Sequence, residues 1–181
     1  MLNEIAQIQN HALCLHDEQA VEAALDAMAI AITAKLADKN PLILCVINGG
    51  IIATGKLLPR LDFPLMLDSI HASRYRNSTS GKDIHWLFTP TTPLIDRTVL
   101  IVDDILDEGH TLRAIVDYCV EQGAEAVYTA ALLNKQLPGV KPITADFVGL
   151  QVENHYLFGY GMDYKGYLRN AAGVYACKEI L

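Results

Sequence analysis

Residues 98–112 read TVLIVDDILDEGHTL, and the rest of the chain is organised around them. Val99, Leu100, Ile101 and Val102 form an apolar, partly β-branched run that suits a strand buried on both faces of a parallel sheet. Asp103 and Asp104 stand where that strand is expected to end, and Asp107 follows three residues later. Gly109, His110 and Thr111 come next, and then Leu112, Ile115, Val116, Cys119 and Val120 recur at helical spacing. The order is strand, acidic turn, glycine, helix. Ligands of open α/β sheets bind beyond the carboxyl ends of the strands. The glycine permits a tight turn, and the helix N-terminus offers free N–H groups to an anion. The carboxylates would repel that anion, so they must face ribose hydroxyls, a metal or a transferable proton. Neither G-x-x-x-x-G-K-[ST] nor G-x-G-x-x-G is present here.

The stretch VLIVDDILDEGHT, residues 99–111, resembles the phosphoribosyl-pyrophosphate binding motif of the type I phosphoribosyltransferases. With Asp at position 107 it is similar to the 6-oxopurine branch, the hypoxanthine-guanine phosphoribosyltransferases. Two other readings compete. One is a response-regulator receiver domain, whose acidic pair lies near the N-terminus and whose phospho-accepting Asp ends a later strand. Here the pair lies past the midpoint, and Asp146 precedes its apolar run. The other is a purely structural acidic turn.

Composition bounds the chain. Its 181 residues suit one domain, and 51% hydrophobic residues suffice for a sizeable core. A net charge of −7 argues against a nucleic-acid partner held by phosphate contacts. No run approaches the ~20 apolar residues of a membrane span, and MLNEIAQIQN lacks the regions of a signal peptide. Cys14, Cys45, Cys119 and Cys177 are scattered, without zinc spacing, and read as buried free thiols of a reducing, cytoplasmic compartment.

Along the chain, residues 1–40 form an N-terminal helical segment. Its amphipathic helix covers 17–39, with Asp17 as N-cap and Val21, Leu25, Met28, Ile32 and Leu36 on one face. His11 and His16 are expected at the surface. A buried strand at 42–47 is followed by Asn48-Gly49-Gly50 and a helix over 51–61. From the residues alone that Gly-Gly turn stays open between a mere tight connection and a functional loop. A third strand is expected at 64–70. The polar stretch HASRYRNSTSG, residues 71–81, suits either a solvated hairpin tip or a lid, and the lid reading covers 71–85. Further strands are expected at 84–89, 126–133 and 146–152, with Gly123 ending the helix over 110–122. Trp86 is assigned to packing. Lys135, after the strand at 126–133, reads alone as a solvated lysine. The run HYLFGYGMDYKGYLRN, residues 155–170, concentrates aromatics that suit core packing or the stacking of a flat base on Tyr156.

The resemblance covers about residues 42–176 and supplies roles for these positions. It implies a type I phosphoribosyltransferase-like α/β fold, a central mostly parallel sheet flanked by helices with a small hood made from the chain ends. Asp103 and Asp104 would bind ribose hydroxyls directly or through metal. Glu108, Gly109, His110 and Thr111 would hold the 5′-phosphate, and Asp107 would act as general base at purine N7. Asn48, Gly49 and Arg169 would bind pyrophosphate, with a cis peptide at Ile47–Asn48. Ser73, Arg74 and Tyr75 would belong to the lid. Lys135 would contact the exocyclic O6, Tyr156 would stack on the base, Leu157 would present its backbone to it, and Asp163 would line the purine site and, with Asp103 and Asp104, hold Mg²⁺. The C-terminal base-binding segment is 151–181. Two positions depart from the family pattern, Asn48 where many relatives carry Lys and Arg74 where they carry Ser. The implied activity is transfer of a 5-phosphoribosyl group to hypoxanthine or guanine, with xanthine as an alternative base. A homodimer or homotetramer is expected, with no nucleic-acid or membrane partner. The rival from another class is a non-catalytic, nucleotide-binding regulator on the same fold.

Overall fold

A computed structural model describes residues 1–74 and 84–177. In chain order the elements are α1 (Leu2–His11), β1 (Leu13–Asp17), α2 (Glu18–Leu36), β2 (Leu42–Val46), α3 (Gly50–Leu57), β3 (Met66–Arg74), β4 (Ile84–Phe88), β5 (Thr98–Leu106), α4 (His110–Glu121), β6 (Ala126–Lys135), β7 (Phe147–Val152), β8 (Leu157–Phe158) and β9 (Gly173–Ala176). A six-stranded sheet runs β4-β3-β2-β5-β6-β7, and a second, three-stranded sheet runs β1-β9-β8. All pairings of the large sheet are parallel except β3 with β4. This is the α/β class expected from the sequence.

The apolar strands are buried on both faces because each alternates between two cores. Ile43, Leu100, Val102 and Leu132 face the layer containing Val21, Leu25, Met28, Ile32 and Leu36 of α2. Leu42, Leu44, Val99, Ile101 and Ala131 face Leu112, Ile115 and Cys119 of α4. Fully burying each such Leu or Ile contributes roughly 1.5–3 kcal/mol. Helix α2 begins where expected, since the Asp17 carboxylate accepts from Ala20 N at 2.9 Å. Helix α3 stops at Leu57 and tightens into a 3₁₀ turn, Leu58–Arg60, shorter than the 51–61 expected. Pro59 lies in that turn and has no N–H to continue an α-helix.

The N-terminal segment is not wholly helical. Residues 13–17 form β1 and pair antiparallel with β9, from Leu13 opposite Ala176 to Asp17 opposite Gly173. The hood is therefore a sheet built from both ends of the chain. Cys45 and Cys119 are buried free thiols, Cys177 is half-buried and Cys14 is exposed on β1, against expectation. Trp86 packs on Tyr118 with ring centroids 5.2 Å apart. The expected lid begins and ends inside strands, since 71–74 belong to β3 and 84–85 to β4. Tyr75 and the remainder of that segment lie outside the described residues.

Candidate active site

Strand β5 does not end at its acidic pair. It runs to Leu106 because pairing with β6 continues through Asp103 opposite Ala131, Ile105 opposite Leu133 and Leu106 opposite Asn134. The two carboxylates are thus held on a rigid strand. Asp103 Oδ1 accepts from Asp104 N at 2.9 Å, and Asp104 Oδ1 accepts from Ile105 N at 2.8 Å. Asp104 is only 8% exposed. Burial pushes Asp103 well above the usual carboxylate range, and the neighbouring Asp104 charge adds to the shift. Burial also raises Asp104, against the opposing effects of its hydrogen bonds and the Arg169 charge. Crowded, desolvated carboxylates of this kind favour a bound cation.

Past Leu106 the chain turns through Asp107 and Glu108, both exposed, to Gly109 at φ +87°. That left-handed residue is the N-cap of α4, and no side chain caps the helix. The amides of the first turn therefore meet no side-chain cap, with His110 exposed and Thr111 half-buried beside them.

Six of the predicted residues meet in one cavity. Asp104, Asp107, Lys135, Tyr156, Leu157 and Asp163 line a space of about 310 Å³, together with Ile105 and Met162. Lys135, at the end of β6, points its ammonium at Asp107, with Nζ 3.1 Å from Oδ2. Its side chain is 11% exposed while that of Asp107 is 50% exposed. The Lys135 side chain is therefore not the solvated lysine of the plain reading. Leu157 is buried in β8, whereas Tyr156 is 54% exposed, with its ring edge-on to Tyr164 at 5.6 Å. Tyr164 OH donates to Glu4 Oε1 at 3.1 Å, so α1 braces the aromatic wall.

Of the predicted pyrophosphate residues, Gly49 lies against Asp104 and Arg169 pairs with Asp163. The Ile47–Asn48 peptide is cis. Gly49 presses on Asp104 so closely that a Cβ there would fall 2.1 Å from Oδ2. Arg169 Nη1 donates to Gly161 O at 2.5 Å, and Nη2 pairs with Asp163 Oδ1 at 2.6 Å. Asp163 Oδ2 accepts from Gly166 N at 2.6 Å. Ser73 and Arg74 fall at the end of β3.

Asp103, Asp104 and Asp163 supply only oxygen donors, the set that suits Mg²⁺. No cluster of three or more His, Cys, Asp or Glu poised as a metal cage occurs among the described residues. A metal held here would need oxygens from a ligand.

Sequence reasoning missed Ile105, Met162 and Lys141. The first two read as ordinary apolar residues. Lys141, in a loop marked by Pro138, Gly139 and Pro142, donates from Nζ to Leu106 O at 2.8 Å, Lys135 O at 2.6 Å and Asn134 Oδ1 at 2.8 Å. Nothing in the sequence signals these partners, which come from two different strands.

Residues 11–165 match the family described as the phosphoribosyl transferase domain. The chain is 32% identical over 168 residues to a hypoxanthine-guanine phosphoribosyltransferase of Streptococcus pneumoniae (strain ATCC BAA-255 / R6), covering 92% of each chain. Its structure is similar to a hypoxanthine-guanine-xanthine phosphoribosyltransferase, with a TM-score of 0.79 and 27% identity, covering 92% of this chain and 94% of that one. The fold is shared with a hypoxanthine phosphoribosyltransferase of Staphylococcus aureus, at a TM-score of 0.86 and 23% identity, covering 92% and 91%. The chain belongs to the phosphoribosyltransferase family.

Proposed function

We propose that this protein serves purine salvage by transferring the 5-phosphoribosyl group of phosphoribosyl pyrophosphate to hypoxanthine or guanine, yielding IMP or GMP and pyrophosphate. The Asp107–Lys135 ion pair, set in one cavity with Asp104, Asp163 and Tyr156, carries this reading. A 6-oxopurine presents N7 and O6 on one edge. Lys135 donates to O6, and Asp107 takes or shares the N7 proton. Tyr156 covers one face of the ring, and Leu157 offers its backbone to the base edge.

The amides of Glu108, Gly109, His110 and Thr111, with the Thr111 hydroxyl, grip the 5′-phosphate. Asp103 and Asp104 orient the ribose hydroxyls. Asn48, Gly49 and Arg169 hold the pyrophosphate. Departure of pyrophosphate leaves positive charge on the ribose, so positioning and charge neutralisation dominate catalysis. Mg²⁺, held by Asp103, Asp104 and Asp163 together with substrate oxygens, would supply positive charge to the leaving pyrophosphate. The working unit is one phosphoribosyltransferase domain spanning 1–181, with 151–181 as its base-binding segment.

Four free cysteines fit a reducing cytoplasm. No helix among the described residues is long and apolar enough to cross a membrane. Exposed Leu67, Leu87 and Phe88 on β3 and β4 support self-association as a homodimer or homotetramer.

Turnover with labelled hypoxanthine, guanine, xanthine and adenine tests the function. Activity on hypoxanthine or guanine well above that on adenine is expected. Binding of phosphoribosyl pyrophosphate without transfer to any base would favour a regulator instead.

A further inference from the structure

Lys141 stands where the β5–β6 ladder stops. Leu106 opposite Asn134 is the final pair of that register. Just beyond it stand Asp107, after β5, and Lys135, at the end of β6. The Lys141 ammonium bridges the two strands there. It donates to Leu106 O, Lys135 O and Asn134 Oδ1, which uses all three of its N–H bonds. One of these acceptors belongs to the residue before Asp107, and another is the carbonyl of Lys135 itself. Asn134 is fixed in turn by donating from Nδ2 to Gln151 Oε1 of β7 at 2.9 Å.

The residues that follow Lys141 brace the same turn. A Cβ on Gly109 would meet Ile143 Cγ2 at 3.3 Å and Pro142 Cδ at 3.5 Å. The loop after β6 therefore touches both the acidic turn and the start of α4. Lys141 anchors it there by charge-assisted hydrogen bonds, which are stronger than neutral ones.

We propose that Lys141 is a positioning residue for base selection, holding the backbones of Leu106 and Lys135 so that Asp107 and Lys135 stay at the spacing a 6-oxopurine edge requires. The proposal rests on the function proposed above. Among the described residues, the three hydrogen bonds of the Lys141 ammonium go to Leu106, Asn134 and Lys135, and none goes to Asn48, Gly49, Asp103 or Asp104. Its loss should therefore impair the base far more than phosphoribosyl pyrophosphate, since its ammonium bonds the backbones beside Asp107 and at Lys135 while the anion turn is reached only through the apolar contacts of Pro142 and Ile143. A merely structural brace would lower stability and affect both substrates alike.

The test compares steady-state kinetics of wild type and Lys141→Met on hypoxanthine and phosphoribosyl pyrophosphate. Calorimetry of IMP binding provides a readout independent of turnover. The expected result is a rise of about tenfold or more in KM for hypoxanthine and a matching loss of IMP affinity, with KM for phosphoribosyl pyrophosphate changed less than about twofold. Lys141→Gln, which keeps part of the hydrogen bonding, is read in the same way if the Met variant does not fold. Unchanged kinetics, or equal shifts for both substrates, would overturn the role of Lys141. A wild-type protein inactive on every 6-oxopurine would instead overturn the functional reading beneath it.

Discussion

Gly161 lies against the carbonyl of Gly49, so close that a Cβ on Gly161 would fall 2.0 Å from that oxygen. The contact joins the C-terminal segment to the loop after β2, and Gly161 holds φ at +108°. Two requirements coincide there, a left-handed backbone and room for a carbonyl. Gly161→Ala should therefore push the loop away from Asp104. We expect a loss of more than about 1 kcal/mol in denaturant unfolding, together with a higher KM for phosphoribosyl pyrophosphate. A variant that matches wild type in both would show that the contact is not needed.

Asp107→Asn should leave the fold and phosphoribosyl pyrophosphate binding intact while lowering kcat, since a general base contributes typically about 10²–10⁴-fold. Turnover within about twofold of wild type would remove Asp107 from the proton transfer. Lys135→Ala should act differently. It should raise KM for 6-oxopurines more than for phosphoribosyl pyrophosphate, because a hydrogen bond from a charged group contributes about 1.5–3 kcal/mol. Equal effects on both substrates would place Lys135 outside the base site.

Much of this site was readable from one stretch of sequence. Asp103, Asp104, Asp107 and Gly109 lie within seven consecutive residues, so strand-to-helix geometry alone brings them together. Asp17 was equally legible, because an N-cap acts on amides only three residues away. Lys141 and Glu4 were not. Their partners are set by tertiary packing, with Glu4 reaching Tyr164 and Lys165 across most of the chain. Strand β1 escaped for the same reason, since its ladder partner is β9 and the local sequence carries no turn that announces it. The acidic pair misled in one respect. Polar residues look like strand ends, but parallel pairing with β6 carries β5 past them.

Glu22 offers a test by pH. Its carboxylate accepts from Tyr160 OH at 2.6 Å and pairs with Lys56 at 2.7 Å and Arg60 at 2.6 Å. The hydrogen bond from Lys56 is the largest influence, followed by that from Tyr160, and the pKa falls to about 2 from an ordinary 4.5. A depressed carboxylate pKa gives stability that is fully present above the unfolded value and is lost as pH falls through the folded one. Wild type should thus exceed Glu22→Gln in unfolding free energy at neutral pH. The gap should narrow as pH falls from 4.5 toward 2. A gap that stays constant across that window would sink the assignment.

Metal removal addresses the carboxylates at β5. Asp103, Asp104 and Asp163 fall short of an all-protein cage, and Mg²⁺ is usually held by one or two carboxylates plus substrate phosphates. Turnover should vanish in excess EDTA, while Mg²⁺ should bind the free protein weakly. Phosphoribosyl pyrophosphate should raise metal affinity, and linkage requires the metal to raise affinity for that substrate by the same factor. Asp163→Asn should reduce this coupling and spare the 5′-phosphate grip at Gly109 to Thr111. Tight Mg²⁺ binding measured by calorimetry on the unliganded protein would overturn the scheme.

The ladder between β1 and β9 sets an order of events during synthesis. Asp17 emerges from the ribosome early and must wait for Gly173, its partner in the register. The large sheet can assemble meanwhile, since β2 to β7 are contiguous in the chain. The hood cannot, because its central strand β9 is made last. Leu157 and Phe158 likewise pair with Ala176 and Tyr175, so the wall beside Tyr156 stays unfinished until β9 is made. A nascent chain stalled before Gly173 should therefore hold a formed phosphate turn but no closed base site. Closure of the hood thus trails assembly of the large sheet.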